Sequence, residues 1–181
     1  LDIVFAIEAD DLATHVALAQ AAQAPQYRII TVPPGQPRTK PRALNVALAH
    51  ARGAFVAIFD AEDQPDPGQL RRAFDLFYRN PDAVGCVQAR LNIDNHRASW
   101  LTRQFAIEYS ALFDAILPVL VRLGLPVPLG GTSNHFPRRL LEHVGAWDPF
   151  NVTEDADLGI RLARLGLGVR MLDSTTWEEA P

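Results

Sequence analysis

The chain has 181 residues, 48% hydrophobic and 21% charged, a globular composition at a length that suits one domain. Its net charge of −4 argues against an electrostatic nucleic-acid binder, and a single cysteine, Cys86, excludes an intramolecular disulfide framework and a cysteine-rich zinc module. There is no signal-peptide pattern and no apolar run of eighteen residues; the longest apolar patch, residues 111–129, is interrupted by Asp114 and Arg122 and holds three prolines.

That patch reads first as core and second as a surface that lies on a membrane. Arginine outnumbers lysine sixteen to one, with Lys40 the sole lysine, which reflects coding bias and not a basic surface. Cys86 sits in an apolar run and reads as a buried small hydrophobe, and the cytoplasm is the simplest compartment.

In chain order, residues 1–7 read as a buried strand with acids at its end, Glu8, Asp10 and Asp11. A helix follows over 13–24, stopped by Pro25, and a second strand over 27–32. Residues 33–39 form a proline-rich loop, and 41–52 a helix with proline in its first turn and Gly53 at its end. A third apolar strand, 54–59, runs straight into Asp60-Ala61-Glu62-Asp63. A helix over 69–79 places Leu70, Phe74 and Phe77 on one face, and 83–91 is a strand. A long helix, or pair, from 99 to about 121 breaks at Pro118. Residues 129–136 are glycine-led and then extended. A short helix over 137–144 and a helix over 153–165 precede a last strand at 168–172. Strands alternating with helices predict an α/β fold with a mostly parallel sheet. Such sheets bind ligands at the carboxyl ends of their strands, where Glu8 and Asp60 fall.

Two acidic segments carry chemistry. In an extended segment Asp60 and Glu62 point to one side, and two converging carboxylates make a hard-oxygen site suited to Mg²⁺ or Mn²⁺. The plainer reading is a solvated turn in which Asp63 or Asp66 caps the next helix. In the second segment, Asn151 and Glu154 have capping-box spacing, with Thr153 as the rival N-cap. There Asp155 is a candidate general base, kept ionised by the helix N-terminus, against the reading that Thr-Glu-Asp is only a cap.

Four ordered segments resemble GT-A glycosyltransferases of family 2, in the branch that holds cellulose-synthase-like and other processive β-glycosyltransferases. They are Lys40-Pro-Arg-Ala-Leu-Asn45, Phe59-Asp60-Ala-Glu62-Asp63, Gly130-Gly-Thr-Ser-Asn134, and Gly145-Ala-Trp147-Asp followed by Thr153-Glu154-Asp155. The resemblance covers nearly the whole chain. It implies a Rossmann-like GT-A sandwich and an inverting transferase. Such an enzyme moves a hexose from a nucleotide-diphosphate donor, expected to be a UDP-sugar, to a hydroxyl of a glycan or lipid-linked acceptor in polysaccharide or glycolipid synthesis. By the same resemblance Glu8 or Asp10 receives the base or ribose, and Lys40 offers a cation near the diphosphate. Asp60 and Glu62 hold Mg²⁺ or Mn²⁺, and Thr132 and Ser133 contact the donor sugar or satisfy a turn. Trp147 stacks on an acceptor sugar or packs in the core, Glu154 lies on the acceptor side, Asp155 is the base, and Asn45 braces the loop. His135 reads as structural.

The chain departs from the family pattern at Glu62, usually aspartate, which leaves Glu62 and Asp63 as rival ligands. The family's first strand with its Pro-x-x-Asn-Glu segment is not in the sequence, nor is Gln-x-x-Arg-Trp. Residues 1–181 are thus expected to be one soluble catalytic domain lacking both, within a protein embedded in the inner or plasma membrane through segments outside this chain and working on the cytoplasmic face. A sugar nucleotidyltransferase and a non-catalytic assembly domain of a membrane synthase are the competing readings.

Overall fold

A computed structural model describes residues 1–80 and 83–180. Strand β1 (Ile3–Glu8) pairs in parallel with β2 (Tyr27–Val32), with Ile3 opposite Tyr27 and Glu8 opposite Val32. Parallel partners need a crossover, and helix α1 (Leu12–Ala21) supplies it. Asp11 starts α1 by accepting from the Thr14 amide at 3.1 Å and the Thr14 hydroxyl at 2.7 Å. Helix α2 (Lys40–Leu48) then packs back over the pair. It stops short of the expected Arg52, because His50 and Ala51 donate to Ala47 and Leu48 in tight turns.

The second sheet has the order β3-β6-β5-β7-β4. Its strands are β3 (Phe55–Ile58), β4 (Gln64–Pro65), β5 (Val84–Ile93), β6 (Asn134–Pro137) and β7 (Gly168–Glu178). The two longest ladders, β1 with β2 and β5 with β7, are parallel, as the alternating pattern predicts. The short ladders β3·β6, β5·β6 and β4·β7 are antiparallel, so the sheet is mixed. Strand β7 runs six residues beyond the expected Leu172. Its polar stretch hid it from a hydrophobicity reading. Ser174 and Thr176 are buried but bonded to Gln69 and Ser133, so their hydroxyls are satisfied inside the sheet.

Helix α3 (Gln69–Arg79) buries Gln69, Ala73 and Phe77, a face rotated from the expected one. Leu70 and Phe74 stay partly exposed, and Phe74 meets Phe55 edge-on at 5.3 Å. The arm Trp100–Arg122 is continuous through Pro118. It consists of α4 (Trp100–Ser110), a π-helical turn (Ala111–Ile116) and α5 (Leu117–Arg122). Proline lacks a donor and clashes with the carbonyl four residues back, and the wider π turn, with Leu117 donating to Leu112, accommodates it. Phe113 and Leu117 on its inner face join Phe136, Trp147, Leu158 and Leu162 in the main core.

Helices α6 (Arg138–His143) and α7 (Glu154–Arg164) complete the chain order. Gly159 sets the position of α7: a β-carbon there would lie 2.1 Å from the Val127 carbonyl oxygen. Only glycine lets the helix approach the segment that leads to Gly130.

Candidate functional site

The acidic segment after β3 is a turn and not an extended strand, since the Asp63 amide donates to the Asp60 carbonyl at 3.2 Å. This corrects the expectation that alternation aligns Asp60 with Glu62. Asp63 turns inward. One of its oxygens accepts from the Asp60 amide at 2.7 Å and from the Thr132 hydroxyl, while the other is buried without a partner. Burial pushes the Asp63 carboxyl above its usual range, against the pull of the Thr132 hydrogen bond. Glu62 is exposed.

Lys40, at the N-terminus of α2, ties this turn to the glycine segment. Its Nζ lies 2.5 Å from Asp60 Oδ1 and donates to the Gly131 carbonyl at 2.6 Å. A β-carbon on Gly131 would fall 3.7 Å from Asp155 Oδ2 and 4.0 Å from Lys40 Nζ. Asp60, Lys40, Gly131 and Asp155 thus converge from four separate parts of the chain.

Asp155 is 9% exposed in the first turn of α7. Its carboxyl is pushed up to about 6, chiefly by burial and then by the charge of Glu154, with Lys40 and the Trp147 side chain pulling the other way. The expectation that the helix N-terminus keeps it low is therefore corrected: burial raises it. The N-cap is Thr153, with no side-chain cap bond. Asn151 accepts from the Thr153 amide at 3.0 Å, so no capping box engages Glu154, which stands half-buried beside Asp155.

Trp147 is 2% exposed and packs edge-on against Phe136 at 6.2 Å. Its ring offers no face to an acceptor sugar, so the stacking expectation is corrected in favour of core packing. Asn45 donates to the Trp147 carbonyl at 2.7 Å and accepts from its amide at 3.2 Å, bracing the loop before α7. Thr132 and Ser133 are likewise buried. Thr132 serves the Asp63 turn, and Ser133, at φ 56°, donates to Thr176 at 2.6 Å. Thr132 thus satisfies a turn, whereas the Ser133 hydroxyl bonds strand β7 instead. His135 is buried with Nδ1 3.0 Å from the Val87 carbonyl.

At the β1 end, Glu8 lies 3.9 Å from Arg42, while Asp10 is exposed and paired with Arg38 at 2.7 and 2.8 Å. The Arg38 hydrogen bond holds the Asp10 carboxyl below its usual range. Three further participants escaped the sequence reading. Gln88 is fully buried on β5, accepting from the Gly130 amide at 2.9 Å and donating to the Thr132 carbonyl at 3.0 Å. Glu178, at the end of β7, has its carboxyl pushed up by burial and by the charges of Asp63, Asp60 and Glu62, with the Tyr109 phenol pulling the other way. Burial and that neighbour raise the phenol's pKa. Each sits in a segment without motif character, and only the fold brings them in.

Among the described residues no group of three His, Cys, Asp or Glu side chains could by itself hold a metal ion. Accessible carboxylates beside a diphosphate would nonetheless suit a hard cation of the Mg²⁺ type. Such an ion takes one or two carboxylates and completes its shell with water and phosphate oxygens. Asp60, a third exposed, and Glu62 are accessible carboxylates, whereas Asp63 has an oxygen committed to its turn.

Comparison with known proteins identifies the family. The family described as "Glycosyltransferase like family 2" matches residues 1–181. A beta-monoglucosyldiacylglycerol synthase of Synechocystis sp. is 32% identical over 142 residues, 77% of this chain and 29% of that protein. Glucomannan 4-beta-mannosyltransferase 1 of Oryza sativa is 31% identical over 112 residues, 62% of this chain and 21% of that protein. The chain therefore spans about a third or less of the curated relatives' length. Among solved structures, a mannosyltransferase from Pyrobaculum calidifontis in complex with GDP-Man and Mn²⁺ superposes with a TM-score of 0.68 at 22% identity. It covers 98% of this chain and 47% of that one, and shows the GT-A fold.

Proposed function

Because this chain belongs to glycosyltransferase-like family 2, we propose that it is the donor-binding and catalytic part of an inverting, metal-dependent hexosyltransferase. The donor is a nucleotide-diphosphate sugar, with UDP as the preferred carrier. The acceptor is a hydroxyl of a glycan or lipid-linked molecule. The observation that carries this reading is the convergence of Asp60, Lys40, Gly131 and Asp155 at the strand ends. The superposing mannosyltransferase, which holds GDP-Man and Mn²⁺, supports the same class of donor and cation.

In this reading Glu8 or Asp10 faces the base or ribose, and Lys40 pairs with a diphosphate oxygen in place of Asp60. Asp60 and Glu62 hold Mg²⁺ or Mn²⁺, which when bound neutralises charge on the departing diphosphate. Asp155 accepts the acceptor's hydroxyl proton as that oxygen bonds to the anomeric carbon. The bond from that carbon to the diphosphate breaks in the same displacement, so an α-linked donor gives a β-glycoside. A base titrating near 6 is ionised at neutral pH yet basic enough to assist. Glu154, beside it, borders the acceptor side.

In this reading residues 1–181 form one catalytic domain. The full-length protein acts at the cytoplasmic face of a membrane in which other segments embed it.

The test is thermal unfolding with UDP, GDP, dTDP and ADP, each with and without Mn²⁺. Ligand at about 100 times its Kd stabilises by roughly 2.7 kcal/mol. A shift with one nucleotide, dependent on Mn²⁺, is expected; no shift with any of them would refute donor binding by this chain.

A further inference from the structure

Trp147 joins Phe136, Leu158 and Leu162 in the main core, where a phenylalanine would pack without adding a polar atom. The residue is 2% exposed, and its Nε1 has no hydrogen-bond partner among the described residues. A buried tryptophan N–H ordinarily finds one, because an unpaired donor has given up its bond to water for nothing. The nearest claim on this donor is Asp155. Burial, and after it the charge of Glu154, pushes the Asp155 carboxyl up to about 6, while Lys40 and then the Trp147 side chain draw it down. The indole therefore lies close enough to favour the charged carboxylate, short of the geometry of a full bond. Hydrogen bonds that serve catalysis are often long in a free enzyme and tighten with substrate in place.

The frame around the two residues is rigid. Gly145 at φ 85° and Ala146 at φ 49° form the turn that leads Trp147 into the core. A residue other than glycine persists in the left-handed region only where its surroundings fix it, and such positions gather at functional sites. Arg161 on α7 donates to the Val144 carbonyl at 2.6 Å and to the Ala146 carbonyl at 2.7 Å, and is itself held by Asp157 at 2.7 Å. Asn45 on α2 engages both backbone groups of Trp147. The helix that carries Asp155 is thus fastened to the loop that carries Trp147.

We propose that Trp147 is a positioning residue for the base: its indole N–H donates to the Asp155 carboxylate, orients it, and leaves its other lone pairs for the acceptor hydroxyl. This rests on the reading of Asp155 as the base. The hydroxyl proton passes to Asp155, and the indole keeps its own. The bond matters before that transfer, because it supports the ionised form in a place where burial disfavours it. The other groups that face Asp155 are Glu154 on α7, Lys40 on α2, Asp60 at the end of β3 and the Cys86 thiol on β5. All of them remain when Trp147 alone is changed.

The experiment follows the indole N–H signals of full-length protein carrying isotope-labelled tryptophan, by NMR, as pH is raised without Mn²⁺. One indole signal should move with a midpoint of about 6, be lost in Trp147→Phe, and stay still in Asp155→Asn. Trp147→Phe keeps a ring in the core and removes the donor. In sugar-transfer assays at neutral pH its kcat should fall at least about tenfold at a donor KM close to wild type. The acid limb of its pH profile should move up by about one pH unit, since the charged carboxylate has lost a donor. A packing role alone would lower the unfolding midpoint and leave that limb in place. If no indole signal titrates with Asp155, the proposal is overturned whether or not Trp147→Phe folds. A folded Trp147→Phe with the wild-type rate and pH profile overturns it too. A titrating indole in a wild-type protein that transfers no sugar overturns the reading of Asp155 as a base, and the positioning role with it, while the hydrogen bond stands.

Discussion

Lys40 Nζ and Asp60 Oδ1 are 2.5 Å apart, and the same ammonium donates to the Gly131 carbonyl. One side chain thus joins the start of α2, the end of β3 and the glycine segment facing Asp155. The pair is a third exposed, so its direct worth to folding is small, about 0–1 kcal/mol. Its larger effect is to keep a cation beside the acidic turn where a diphosphate would lie.

Lys40→Met should therefore change stability by about 1 kcal/mol or less, yet weaken nucleoside diphosphate binding roughly tenfold through loss of a charge-assisted hydrogen bond. Calorimetric titration in Mn²⁺ checks this. Affinity equal to wild type would remove Lys40 from the donor site.

Asp155 gives a pH dependence with a definite sign. Its carboxyl moves from an ordinary 3.8 to about 6 on folding, so the folded chain holds the proton to higher pH than the unfolded one. The group's stabilising contribution is complete below about pH 4 and is lost as pH rises through about 6, a change on the order of 3 kcal/mol. Asp155→Asn should abolish that dependence and be the more stable chain at pH 7. Denaturant unfolding at about pH 5 and about pH 7.5 reads it. Equal slopes for the two proteins would contradict the raised value. Transfer should show the opposite trend, falling as pH drops below about 6 and the base is protonated.

Gly159→Ala drives a β-carbon toward the Val127 carbonyl oxygen, 2.1 Å away. Helix α7 must move outward, and overpacking of this kind costs about 1–3 kcal/mol. A lower denaturation midpoint at unchanged m-value is expected. Because α7 carries Asp155, transfer should also fall while nucleotide binding at the Asp60 turn persists. An alanine variant with wild-type midpoint would show that α7 is not held by this contact.

Much of this was legible in the residues. Strand–helix alternation found the elements, and the acids at Glu8, Asp60 and Asp155 fell near strand or helix ends as their spacing implied. Asn45 braces Trp147, and His135 is structural. What alternation could not see was the turn at Asp60–Asp63, because it depends on Thr132, some seventy residues away, bonding Asp63. Strand β7 was clipped because Ser174 and Thr176 look like loop residues until Gln69 and Ser133 are found to satisfy them. Burial of Trp147, Thr132 and Ser133 is likewise a property of packing. Pro118 read as a break, since the π turn that absorbs it has no sequence signature of its own.

The central claim is that Asp155 takes the proton while Asp60 and Lys40 hold the donor. Asp155→Asn in the full-length protein tests it most directly, with sugar transfer and Mn²⁺-dependent nucleoside diphosphate affinity measured side by side. The account predicts transfer reduced by roughly 10²–10⁴-fold at an affinity close to wild type. Transfer at the wild-type rate would contradict it.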